Sequence, residues 1–423
     1  MFVKKEKVGE KVKISEIAKH AIMICTLCSV AYLGVYVARN ILGVVTPAMI
    51  ESGGFTEKSM GTISSTYFIF YAIGQLINGM IGDRVKTRYM ISLGLLLAGV
   101  SNFVFSRVAD VSAIAPIVYG MTGFFLAMIY GPMTKVVAEN TEPIYATRCS
   151  LGYTFASFIG SPAAGILATF MVWQSVFAFS GVVLCVMATV AFCVFLLFEK
   201  KGIIRYGQYK FEKKAVAGKA GGSLRQRLQV LIKHRIIKFS LISVLTGIVR
   251  TSVIYWLSTY ISQALGFSSK TAAGIFTAAT LVIATTTFIS VFVYERLHRN
   301  MDKTILVMFS SSVCFFTLVY FVKIPVLNII FMILAIMSSN GAATMLWSRY
   351  CPSLRDTGMV SSVTGYLDFM SYIAAAVANL VFANAVAAIG WNNLILVWLG
   401  LMVVGVVIAL PYQKLRKMSQ SAE

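Results

Sequence analysis

The chain is poor in acid. It carries 16 Asp and Glu against 37 Lys and Arg, and charged residues of both signs make up only 13% of its 423 positions. So small a charged fraction, beside 58% hydrophobic residues and a mean hydropathy of +0.80, excludes an ordinary soluble domain. Histidine is scarce too: the three histidines, His20, His234 and His298, border apolar segments and read as interface residues. The seven cysteines fall inside or beside apolar segments. Cys25-x-x-Cys28 has the spacing of a redox or zinc motif, but no second pair accompanies it, and no metal is expected. No nucleophile–base pair and no phosphate-cradling glycine loop stands in an accessible place. Neither an enzyme nor a cofactor is therefore expected, and no channel filter motif is visible.

What remains is apolar sequence in long runs. Twelve segments, near 20–50, 58–81, 89–107, 115–137, 149–171, 173–198, 238–265, 270–294, 304–323, 327–348, 360–388 and 393–411, each approach the ~20 residues that a membrane helix requires. The expected fold is an all-α membrane protein, twelve transmembrane helices in two six-helix pseudo-symmetric bundles. The net charge of +21 suggests nucleic acid at first sight, but its distribution argues otherwise. Thirty-one basic residues lie in the tails and even-numbered loops, and only Lys58, Arg107, Lys270 and Lys323 lie on the opposite face. Such asymmetry predicts a multi-pass protein of the plasma (inner) membrane with both termini cytoplasmic. Anionic lipid headgroups, not nucleic acid, are the expected contact. The polar N-terminal tail has no small-residue cleavage site after its apolar run, so the first span reads as a retained anchor.

Tracts of different composition mark the boundaries: a cytoplasmic tail (1–17), an N-terminal bundle (18–198), a basic linker (199–237), a C-terminal bundle (238–411) and a second tail (412–423). The linker ends in Leu224-Arg225-Gln226-Arg227-Leu228-Gln229-Val230-Leu231-Ile232-Lys233, the pattern of an amphipathic surface helix. The halves read as repeats. Arg39 precedes Gly54-Phe55-Thr56-Glu57-Lys58 much as Arg250 precedes Gly266-Phe267-Ser268-Ser269-Lys270, and Gly152-Tyr153 is matched by Gly365-Tyr366. This build predicts the two arginines at a common depth, facing each other across a pseudo-twofold axis.

Those arginines are the candidate site. A guanidinium keeps its charge at any relevant pH, and holding one at mid-bilayer costs roughly 2.5 kcal/mol or more. Asp368 is the one acid deep in a span, so the interior carries a net positive charge that would draw an anion. Asp368 could equally neutralise one arginine as a structural ion pair. Polar faces accompany the arginines: Cys28, Tyr32 and Tyr36 on span 1; Tyr67, Tyr71, Gln75 and Asn78 on span 2; Ser150, Tyr153, Ser157 and Ser161 on span 5; Ser361, Thr364, Asp368, Ser371 and Tyr372 on span 11. Such stripes either bond helix to helix or line a water-filled cavity, which convergence with an unpaired Arg favours. The candidate substrate-binding set is Arg39, Arg250, Tyr32, Tyr36, Tyr71, Gln75, Tyr153 and Asp368.

The loop after span 2, Gly79-x-x-x-Asp83-Arg84-x-x-x-Arg88, resembles the loop 2–3 signature of the major facilitator superfamily, and the resemblance implies a conformational role for Gly79, Asp83, Arg84 and Arg88. Its copy in the second half is reduced to Glu295-Arg296. Within that superfamily, Tyr36-Val37-Ala38-Arg39-Asn40, the stretch around Arg250, Gly131-Pro132 and Ser361-Ser362-Val363-Thr364-Gly365-Tyr366-Leu367-Asp368 resemble the organophosphate:phosphate antiporters, which include glycerol-phosphate and hexose-phosphate carriers. The resemblance implies that Arg39 and Arg250 clamp a phosphate, with inorganic phosphate as counter-substrate; a monomer is expected. The chain departs from the family at three places. Gln75 replaces a lysine, Tyr153 and Thr154 stand near a missing histidine, and Asp368 has Ser371 but no lysine in reach. Two alternatives stay open: a proton-coupled symporter of carboxylate or sugar-acid anions, and a transporter-like sugar-phosphate sensor. The first usually has an acid beside the span 1 arginine, where this chain has Ala38.

Overall fold

The computed structural model describes residues 16–82, 85–206, 232–354 and 360–410. Described residues are helical apart from short turns. Six helices precede the linker: α1 (Glu16–Glu51), α2 (Glu57–Gly82), α3 (Thr87–Val108), α4 (Ala115–Asn140), α5 (Pro143–Phe170) and α6 (Trp173–Lys200). After it come α7 (Ile236–Gln263), α8 (Ser269–Arg296), α9 (Met301–Phe321) and α10 (Pro325–Tyr350). The last element, Val360–Ala409, is two helices joined at Gly390, here α11 (360–389) and α12 (391–409). Gly390 has φ 73°, a left-handed conformation that glycine adopts without a Cβ clash. Among the described residues nine helical elements are long and apolar enough to cross a membrane, the α11–α12 pair counting as one. Element limits fall within a few residues of those read from hydropathy; the largest shift is at α5, which starts at Pro143 because proline is favoured in a first helical turn.

Local chemistry explains the turns. Before α2, the Thr56 hydroxyl accepts from the Ser59 amide at 3.2 Å while Ser59 Oγ accepts from the Thr56 amide at 3.0 Å, a reciprocal cap. In the other half, Ser268 Oγ accepts from the Thr271 amide at 3.2 Å, so the repeated Gly-Phe-Thr/Ser motif is a repeated helix start. Gly53 (φ 79°) and Gly266 (φ 76°) end the preceding helices, as left-handed C-terminal glycines do.

The helices bury aromatic and small residues together and leave many large aliphatic side chains outward, as a lipid-facing surface requires. On α6, Val182, Val186, Val190 and Leu197 are exposed while Gly181, Ala188 and Ala191 are buried. Close approach then depends on glycine. A Cβ on Gly99 of α3 would lie 2.7 Å from the Gly181 carbonyl oxygen of α6, and one on Gly123 of α4 would lie 2.6 Å from the Tyr67 carbonyl oxygen of α2. Helices α1–α6 pack on one another, as do α7–α12, and the two groups meet along α2 with α11, α5 with α8 and α1 with α7.

The contacts joining the halves gather on the face that carries the α1–α2 and α7–α8 turns. Ser65 Oγ donates to the Ala376 carbonyl at 2.7 Å, Ser258 Oγ to the Val44 carbonyl at 3.2 Å, and Gln263 Nε2 to Glu57 Oε1 at 2.7 Å. Tyr255 wedges against Gly43, where a Cβ would lie 2.9 Å from the Tyr255 carbonyl oxygen. Its hydroxyl donates to the Met60 carbonyl at 3.3 Å. A Cβ on Gly61 would overlap Ala383 of α11, and one on Gly165 would overlap Thr277 of α8. The halves are thus sealed on this face. Asn379 of α11 lies in the seal, fully buried, with neither amide atom hydrogen-bonded among the described residues.

Candidate functional site

Arg39 lies twelve residues before the end of α1 at Glu51, and Arg250 thirteen before the end of α7 at Gln263. At 1.5 Å per residue both stand about 18–20 Å below the sealed face. They line one cavity of about 30 Å³, together with Asn40, Gly43, Phe68, Thr251, Ile254, Tyr255 and Phe276. One arginine from each half thus lines the same cavity. The cavity has room for about one or two waters. An anion as large as phosphate needs neighbouring side chains to give way.

The two guanidiniums are held differently. Arg39 is caged by rings: its guanidinium carbon is 4.9 Å from the Tyr372 ring centre, 5.4 Å from Tyr36, 5.4 Å from Tyr71 and 5.6 Å from Phe68. Nη1 also donates to the Tyr372 hydroxyl at 2.8 Å. Ring faces attract a desolvated cation by about 2 kcal/mol in favourable cases, which offsets part of the burial. No carboxylate pairs with Arg39 among the described residues; its hydrogen-bond partner is the neutral hydroxyl of Tyr372 on α11. Tyr372 in turn packs edge-on to Tyr71 at 4.9 Å and parallel to Phe68 at 6.3 Å. Replacing Tyr372 with Phe keeps the ring and removes the acceptor. We expect a three- to tenfold rise in the half-saturating substrate concentration, read by uptake into vesicles, in line with the roughly 0.5–1.5 kcal/mol of one ordinary hydrogen bond acting through Arg39.

Arg250 sits in a π-helical turn, Ile248–Val253, a local widening of the helix that is frequent at functional sites. Its guanidinium carbon lies 5.9 Å from the Trp347 ring centre. Nη2 is 3.9 Å from Asp368 Oδ1. This is an ion pair at the limit of contact and not a hydrogen bond, and Nη2 is buried with no hydrogen-bond partner among the described residues. The structural ion-pair reading of Asp368 is thus met only in part.

The remaining expected residues fall into two groups. Tyr36 and Tyr71 touch Arg39. Tyr32 and Tyr153 form a separate ring cluster with Tyr130 of α4, at centroid distances of 5.5 Å (Tyr32–Tyr130), 5.9 Å (Tyr32–Tyr153) and 6.3 Å (Tyr130–Tyr153). That cluster joins the cage through Tyr36, 5.0 Å from Tyr32. Gln75 is not brought to the arginines: it does not line their cavity. One turn on, Asn78 donates to the Phe124 carbonyl of α4 at 3.2 Å, so the α2 stripe divides between site and packing. Phe68, Tyr130, Trp347 and Tyr372 were absent from the sequence-based set, although Tyr372 stood on the named α11 face.

Of the loop residues, Asp83 and Arg84 lie outside the described residues, and Gly79 falls in the last turns of α2. Arg88 begins α3 and pairs with Glu199 of α6 at 2.7 Å, while Glu199 also accepts from the Tyr206 hydroxyl at 2.8 Å. Arg88 therefore ties α3 to the end of α6 within one half. Burial and the Glu199 carboxylate beside it push the Tyr206 phenol up from its ordinary range. No group of three metal-ligating side chains occurs among the described residues.

Comparison with known proteins agrees with this architecture. The chain is 22% identical over 385 residues to the glycerol-3-phosphate transporter of Bacillus subtilis, covering 86% of each. It is 22% identical over 267 residues to the membrane sensor protein UhpC of Salmonella typhimurium, covering 56% of each, so it spans about half the length of that relative. Among solved structures, a bacterial homologue of the human lysosomal transporter Spinster superposes with a TM-score of 0.72 at 13% identity, over 93% of this chain and 97% of the other. The D-xylose–proton symporter gives 0.70 at 11% identity, over 93% and 98%. These structural likenesses carry the fold alone. Residues 28–379 match the family model of the Major Facilitator Superfamily, and with two packed helical halves around a shared cavity the chain belongs to that superfamily.

Proposed function

We propose that the chain is a secondary carrier that exchanges a small organic phosphate ester, of the sugar-phosphate or glycerol-phosphate type, for inorganic phosphate. The observation that carries this reading is the cavity between the halves lined by one arginine from each. Two guanidinium forks can each give two parallel hydrogen bonds to a phosphate, and charge-assisted bonds of this kind are the strong ones. The likeness to a glycerol-3-phosphate transporter over 86% of the chain supports the choice of anion.

In this mechanism the halves rock about the Arg39–Arg250 level, as repeat-built carriers do. A bound anion screens two like charges that face each other, so it favours the state in which both forks close on it. Such differential affinity is what lets a ligand shift the equilibrium between states. The empty carrier reorients poorly with its cations unscreened, which makes exchange the favoured mode. On this reading twelve spans in two bundles, divided at the basic linker 199–237, leave both termini on one side, and the basic loops make that side the cytoplasmic face of the plasma (inner) membrane, against anionic headgroups, with the carrier working as a monomer.

Counterflow in proteoliposomes tests the reading. Vesicles loaded with inorganic phosphate should take up labelled phosphate and lose it to external glycerol phosphate or hexose phosphate, with no response to lactate or gluconate. Binding of a phosphoester without any exchange would identify a sensor instead. Uptake of carboxylates driven by a proton gradient would identify a symporter.

A further inference from the structure

Two polar groups in the site are unfinished, and they stand side by side. Arg250 Nη2 is a buried donor with no acceptor. The Asp368 carboxylate, 3.9 Å away and partly exposed, accepts no hydrogen bond from any described residue. A buried donor left unmade is destabilising, and a lone carboxylate at membrane depth more so. Both groups stand open, an empty donor beside an empty acceptor.

The charges set what could complete them. The site holds two guanidiniums and one carboxylate, a net charge of plus one. A phosphate ester carries about −1.5 to −2 at neutral pH. Binding one beside an ionised Asp368 would leave the site negative by about one unit. A hydroxyl on the substrate could satisfy the Asp368 lone pairs but not that charge. A primary ammonium does both, since it has three donors and no acceptor. The neighbours of Asp368 offer no such cation: Tyr372 lies one helical turn away and is engaged with Arg39, and Ser371, in the same turn, is neutral.

Resting on the phosphate reading above, we propose that the substrate is an amine-bearing phosphoester, its phosphate held by Arg39 and Arg250 and its ammonium by Asp368. The ammonium replaces the guanidinium of Arg250 as the nearest cation to Asp368, and the unpartnered Nη2 donates to the phosphate. Asp368 is then the specificity-determining residue of the site. The distance across the Arg250–Asp368 gap is short, which suits an amine two or three carbons from the phosphate oxygen.

The test compares two isosteric competitors of labelled-phosphate counterflow, phosphoethanolamine and propyl phosphate, which differ by ammonium against methyl. In the wild type, phosphoethanolamine should compete at a concentration about tenfold lower or better, the effect of one hydrogen bond between charged groups. In Asp368→Asn the preference should shrink to less than about threefold, through weaker competition by phosphoethanolamine. Membrane level and a monodisperse elution profile show that Asp368→Asn is folded, and Asp368→Glu, which keeps the carboxylate, should keep a preference for phosphoethanolamine. Equal competition in the wild type, or a preference that Asp368→Asn leaves intact, overturns the proposal while leaving the phosphate reading standing. So does a preference for propyl phosphate accompanied by proton uptake, which would make the proton the charge that Asp368 takes. Absence of any phosphate exchange by the wild type overturns both.

Discussion

Replacing Arg39 with lysine should reduce phosphoester exchange at least about a hundredfold while leaving the protein in the membrane. Lysine keeps the charge, so a smaller loss would follow if the site required only a positive potential. The structure shows what lysine cannot supply. The guanidinium lies among four rings at 4.9–5.6 Å and donates one edge to Tyr372, which leaves its other edge for an anion. An ammonium is a compact point charge without that planar fork. Losing two charge-assisted hydrogen bonds at about 1.5–3 kcal/mol each corresponds to a hundredfold or more at 1.4 kcal/mol per decade. The measurement is phosphate self-exchange in proteoliposomes at matched protein density. Near-normal flux would remove Arg39 from the clamp and with it the proposed function.

The second large effect concerns the seal and not the anion. Gly61→Val should cut exchange at least tenfold while phosphate binding stays within about threefold of wild type, because the added side chain meets Ala383 and the Asn379 carbonyl and holds α2 away from α11. Overpacking of this kind typically costs about 1–3 kcal/mol where the neighbours can yield. Here the neighbour is another helix that can move as a body, so the strain is relieved by opening the face. The readout is thiol labelling of Ser65→Cys in a chain whose seven native cysteines are replaced. Ser65 is 5% exposed and should resist a membrane-impermeant reagent in the sealed form, but react once Gly61→Val is added. Unchanged protection together with normal flux would show that the α2–α11 contact is not a gate.

Much of this could be read before any coordinates. Apolar length alone located the helices, because a membrane span must satisfy its own backbone and so announces itself over about 20 residues. Arg39 and Arg250 were conspicuous because a fixed charge in such a run has no cheap explanation. Their partners were less visible. Tyr372 meets Arg39 from 333 positions away, and Phe68 and Trp347 read as ordinary packing residues until a cation is found against their rings. The stripe on α2 reaches the arginine cage at Tyr71 while Asn78 bonds to α4, since polar spacing on one helix cannot tell a cavity from a neighbouring helix. The π-helical turn at Arg250 has no signature in residue type. It arises where tertiary packing widens the helix, which local propensity does not encode.

The buried amide of Asn379 has a consequence for turnover. A cycling protein must visit both of its faces, and a seal of well-matched apolar surfaces would hold it on one side as a latch that never lifts. Two amide atoms sealed away from water each forfeit about 1–3 kcal/mol, and they recover it as soon as the face parts and water reaches them. In the proposed rocking cycle the joint is in this way spring-loaded toward release, its grip trimmed by a buried polar group.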